Sequence, residues 1–73
     1  MKSERELQQE CDDFNQQFAV GTKGWLHMDS GEKRETYTRS IAQVLSGHTA
    51  VIWVKGVAGC YLLNRFEVNM AEL

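Results

Sequence analysis

The apolar positions of this chain change their period after the first quarter. Between Ser3 and Ala19, Leu7, Cys11, Phe14 and Phe18 recur at intervals of four, three and four. That spacing gathers them on one face of a helix. Ser3-Glu4-Arg5-Glu6 has the form of a capping box, in which the Ser3 hydroxyl and the Glu6 carboxylate each take up a free backbone N–H. Glu4 and Glu6 also sit where the helix dipole favours anions. With Gly21 as a stop signal, the pattern predicts a helix over residues 3–19. A lone helix of this length is marginal in water, so its stripe must dock on something.

From Thr22 the period becomes two. Lys23 to Asp29 alternates, with Leu26 and Met28 on one side and Trp25 and His27 on the other. Ser30-Gly31-Glu32 signals a turn, and Arg34 to Arg39 follows with the strand formers Thr36, Tyr37 and Thr38. In Ser40–Gly47, Ile41, Ala42, Val44 and Leu45 fit a helical face that Gly47 could close. The same residues could instead extend the preceding strand; a short helical turn near 41–46 is the preferred expectation. Thr49 to Lys55 contains Ala-Val-Ile-Trp-Val and reads as a strand. Gly56-Val57-Ala58-Gly59 turns the chain back, Cys60 to Val68 returns as a final strand, and Asn69–Leu73 is expected to fray.

The expected order is helix, hairpin, short helix, hairpin, in a single domain over residues 1–73. A four-stranded antiparallel sheet over residues 22–68 has one face to cover, and the N-terminal helix has one stripe to bury. The predicted class is therefore α+β. Strong curling of so short a sheet gives an SH3-like barrel as the expected sub-class.

Composition narrows the setting. A chain of 73 residues buries only about 60% of the surface of its unfolded form, enough for one modest core. Cys11 and Cys60 are too few and too far apart for a disulfide framework. With His27 and His48 they show no zinc-ligand spacing, and no cofactor is expected. No apolar run approaches the ~20 residues that cross a membrane, and Met1-Lys2-Ser3-Glu4 is a poor start for a signal peptide. The expected setting is reducing and cytoplasmic. Net charge is −2, unevenly spread. Residues 1–13 carry an acidic excess of three, and residues 23–65 a basic excess of three.

Phe14-Asn15, Val20-Gly21-Thr22, Thr38-Arg39-Ser40 with Ala42 and Leu45, then Val51-Ile52-x-Val54-x-Gly56-x-x-Gly59 and Leu63, form a further pattern. It resembles small uncharacterised proteins encoded in bacteriophages and prophages, over about residues 14–68. Gly24 and Cys60 depart from the apolar and glycine residues of that pattern, and the acidic helix before Phe14 lies outside it. The resemblance implies a phage-derived accessory protein in a bacterial host's cytoplasm. It carries over no activity and no functional residue.

No catalytic set can be assembled from the residues themselves. Cys11 lies on the apolar helix stripe, where packing explains it. His27 and His48 stand alone, Asp12 and Asp13 point about 100° apart on a helix, and Gly56-x-x-Gly59 joins two strands rather than opening a helix. The chain is expected to be non-enzymatic. Binding is the better class: if strand alternation holds, Trp25, Tyr37 and Trp53 lie opposite the core, where Arg39, Lys55 and Arg65 would join them as an aromatic and basic surface. The competing expectation puts Trp25 and Trp53 in the core, since a small domain needs its large apolar side chains. A host protein is the expected partner. A nucleic acid is the alternative, disfavoured by the acidic helix because phosphate neutralisation dominates such affinity. A structural or regulatory homodimer is the third possibility.

Overall fold

The computed structural model describes residues 2–72. Helix α1 spans Glu4–Gln17, and both halves of the capping box form: the Glu6 N–H donates to Ser3 Oγ at 3.2 Å and the Ser3 N–H to Glu6 Oε1 at 3.4 Å. The helix ends before Gly21, at Gln17; Phe18 is already extended, and its N–H donates to Phe14 O at 2.8 Å. Of the expected stripe, Leu7 and Cys11 are buried while Phe14 and Phe18 are half-buried. The Phe14 ring packs on Phe18 at 5.0 Å and edge-on to Phe66 at 6.3 Å.

Among the described residues six strands follow: β1 (Lys23–His27), β2 (Lys33–Tyr37), β3 (Gln43–Leu45), β4 (Thr49–Ile52), β5 (Tyr61–Leu62) and β6 (Phe66–Val68). They form two three-stranded antiparallel sheets, ordered β2-β1-β6 and β3-β4-β5. Neither sheet closes on itself, so the expected single four-stranded sheet curled into an SH3-like barrel is not the architecture of this chain. Two local events account for the difference. The first lies in Ser40–Gly47, which forms strand β3 rather than a helical turn. Gln43, Val44 and Leu45 pair with Val51, Ala50 and Thr49. Ser46 and Gly47 both take positive φ, 55° and 73°, closing a tight hairpin in which the His48 N–H donates to Leu45 O at 3.1 Å. One isolated helical turn would have carried the cost of nucleation without such a ladder.

The second event breaks the expected last strand. Tyr61 and Leu62 pair with β4, Leu63–Arg65 form a 3₁₀ turn, and Phe66–Val68 pair with β1 in the other sheet. The 3₁₀ turn thus hands the chain from one sheet to the other. At the opposite side a single bridge, Thr38 to Val54, connects them. Residues Met70–Glu72 form a 3₁₀ turn instead of fraying, with the Ala71 N–H on Asn69 Oδ1 at 3.2 Å; Leu73 lies outside the described residues.

The inner faces meet in one cluster of Cys11, Leu26, Ala42, Ile52, Val54 and Phe66. Helix α1 covers the β3–β4 side of it. Asn15 secures that cover: its amide nitrogen donates to Ala42 O at 2.9 Å and its oxygen accepts the Ala42 N–H at 2.8 Å. This two-way bond imitates a ladder rung on the buried Ala42. Gly24 explains its own departure from an apolar residue. A Cβ there would lie 2.3 Å from the Glu67 carbonyl oxygen and 2.7 Å from the Phe66 ring, so β6 can approach β1 only over a glycine.

Candidate functional site

The outward positions of the first sheet follow from its register. Gly24, Leu26 and Thr36 are buried, so Lys23, Trp25 and His27 of β1 and Lys33, Glu35 and Tyr37 of β2 face away from the core. The surface continues across the Thr38–Val54 bridge. Both bridge residues are buried, which turns their neighbours outward. The Lys55 N–H donates to Tyr37 O and the Arg39 N–H to Trp53 O, each at 2.9 Å, setting Lys55 beside Tyr37 and Trp53 beside Arg39.

Three rings therefore run diagonally across three strand segments. Lys23 opposes Tyr37 while Trp25 opposes Glu35, so Trp25 and Tyr37 are diagonal neighbours; Tyr37 and Trp53 stand in the same relation across the bridge. Diagonal neighbours on one face are about 7–8 Å apart. The stripe Trp25–Tyr37–Trp53 thus spans about 15 Å. Both tryptophans are half-buried, neither belongs to the central cluster, and Tyr37 is exposed.

Cations line the stripe. Lys33 Nζ lies 4.9 Å from the centre of the Trp25 ring, a cation–π contact. Lys23 and Lys55 flank Tyr37, and the three residues border a depression of ≈ 400 Å³ together with Glu35 and Thr36. Among the described residues, none of Lys23, Lys33, Arg39 and Lys55 pairs with a carboxylate; the ion pairs are Lys2–Glu10, Arg34–Glu32 and Arg65–Asp29, and a hydrogen bond joins His27 Nε2 to Glu67 Oε1. That hydrogen bond lies on the same face at 2.9 Å. The acidic residues of α1 belong to a different side, because the helix packs over the core and this face points away from it.

Five of the six residues expected to bind, Trp25, Tyr37, Arg39, Trp53 and Lys55, share this surface. Arg65 does not; it sits in the 3₁₀ turn with Asp29 at 3.7 Å. Arg39 also has internal work: Nε donates to Val54 O at 3.1 Å and Nη2 to Val57 O at 3.5 Å, tying down the loop after β4. The junction beneath is rigidly built. Thr38 Oγ1 accepts the N–H groups of Gly21 at 3.0 Å and Thr22 at 3.2 Å, and Thr36 Oγ1 donates to Lys55 O at 2.6 Å. Lys23, Lys33 and Glu35 were not among the expected site residues, although period-two alternation alone sets Lys23 beside Trp25.

The second sheet turns out a different surface. Leu45 and Leu62 are exposed, and with Val51 and Cys60 they line a depression of ≈ 370 Å³ rimmed by Arg65 and Asp29. A helical reading of Ser40–Gly47 sends Leu45 inward with Val44; the strand sends it out. Cys11 and Cys60 are free thiols, and burial, reinforced by Asp12 and Glu10, raises the Cys11 pKa above its ordinary 9.0. Among the described residues no group of three or more His, Cys, Asp or Glu could hold a metal ion, and no helix is long and apolar enough to cross a membrane.

No family model, curated protein or solved structure matches this chain. None of these comparisons supports the likeness of residues 14–68 to phage-encoded proteins.

Proposed function

We propose that this chain is a non-enzymatic protein-interaction module that meets a host protein through the outer face of its first sheet. The observation that carries this reading is the diagonal of Trp25, Tyr37 and Trp53 bordered by Lys23, Lys33, Arg39 and Lys55, none of which forms an ion pair with a carboxylate among the described residues. Aromatic rings and arginine are the residue types that anchor protein interfaces. The two free thiols fit a reducing bacterial cytoplasm as the place of encounter.

Site-specific photo-cross-linking tests the reading. A photoreactive residue in place of Tyr37 should capture one protein from host lysate, whereas the same residue in place of Gln9, exposed on α1, should not. Capture from Gln9 alone would move the interface to the helix. Cross-links joining two copies through Tyr37 would replace the host partner with a homodimer.

A further inference from the structure

The depression around Tyr37 has a chemistry narrower than that of the face as a whole. Lys23, Tyr37 and Lys55 lie in one row across three strand segments, so the two lysine α-carbons are about 10 Å apart. Both backbones are held in place, Lys23 by its register with Tyr37 and Lys55 by bonds of 2.9 Å to Tyr37 O and 2.6 Å from Thr36 Oγ1. The two lysines thus flank one exposed ring, and among the described residues neither forms an ion pair with a carboxylate. Glu35 forms another wall of the same depression. Side chains on one face of an extended segment recur about every 6.6–6.8 Å, close to the ring spacing of about 7–8 Å along the stripe.

We propose that the depression between Lys23 and Lys55 receives a side-chain carboxylate from an extended acidic segment of the partner protein, laid along Trp53, Tyr37 and Trp25. The inference rests on the protein-interaction reading above and adds the chemistry of the ligand. The segment carries Glu or Asp at alternate positions and an apolar residue for the neighbouring ring.

Tryptophan fluorescence tests it with a blocked eight-residue peptide alternating Glu and Ser around one central Leu, and with its Gln counterpart. The Glu peptide should bind saturably and weaken as salt rises from about 0.1 M to about 1 M, where the screening length falls from about 10 Å to about 3 Å. The Gln peptide, and the Glu peptide on K23Q/K55Q, should bind about tenfold more weakly, equivalent to about 1.4 kcal/mol. Equal binding of both peptides, lost on Trp25→Ala, would overturn the carboxylate site while leaving the protein-binding face intact. No binding of either peptide would overturn the carboxylate site; the cross-linking result from Tyr37 would then decide the face independently. A single-stranded oligonucleotide that binds more tightly than the Glu peptide, with a steep salt slope, would overturn both.

Discussion

The two sheets share one core and present opposite kinds of outer surface. The first has strands of five, five and three residues and turns out rings, lysines and carboxylates. The second has strands of three, four and two residues and turns out Leu45 and Leu62. A long strand with regular alternation commits its side chains to a face by itself. A strand of two or three residues takes its face from whatever it pairs with. The sheet with the clearer pattern is also the one whose outer surface carries coherent chemistry.

The largest effects should come from the residues that weld the sheets together. Leu26 in β1 and Ile52 in β4 are both fully buried in the common cluster. Leu26→Ala and Ile52→Ala should each cost about 2–5 kcal/mol. In thermal unfolding both variants should keep a single transition, shifted down. Two separate transitions in either variant would mean that the sheets are independently stable, and the one-core description would fail.

Smaller, sheet-specific losses should follow at Gly24 and Asn15. Gly24→Val drives a side chain against the Glu67 carbonyl, which is backbone and cannot swing aside; overpacking of this kind costs about 1–3 kcal/mol. Hydrogen exchange should accelerate first in Phe66–Val68 of the first sheet. Asn15→Ala strips both partners from the buried Ala42 peptide groups, a loss of about 1–3 kcal/mol. There the faster exchange should appear in Gln43–Leu45 of the second sheet. The same segment losing protection in both variants would erase the distinction.

How much of this was legible follows the same division. The capping box at Ser3–Glu6, the alternation of Lys23–His27 and the Ser30-Gly31 turn depend on neighbours in sequence, and all three form. The outward placement of Trp25 follows from Leu26 alone. What escaped depended on partners far along the chain. Ser40–Gly47 contains four apolar residues that suit a helix, and only the positive φ of Ser46 and Gly47 with pairing to β4 makes it a strand. Cys60–Val68 reads as one strand because nothing local marks Leu63–Arg65; the break comes from needing to serve two sheets. Trp53 and Arg39 become neighbours only through the Thr38–Val54 bridge.

The smallest effect concerns the thiols. The Cys11 pKa is raised, chiefly by burial, so the folded thiol stays protonated where the unfolded one ionises. Its contribution to stability is complete below the unfolded pKa and is lost as pH rises through the folded one. At neutral pH, native-state alkylation should therefore modify Cys60 first, with Cys11 reacting only on opening. Equal rates would show that the helix leaves its side of the core exposed.

The proposed function places the partner on the aromatic and basic face of the first sheet rather than on the apolar patch of the second or the acidic helix. Backbone amide shifts recorded while the Glu-containing peptide is titrated into the protein test it most directly. Changes are expected in Lys23–His27, Lys33–Arg39 and Trp53–Lys55, with Glu4–Gln17 and the Leu45 and Leu62 amides unmoved. Changes centred on Leu45, Cys60 and Leu62, with the first sheet silent, would contradict it.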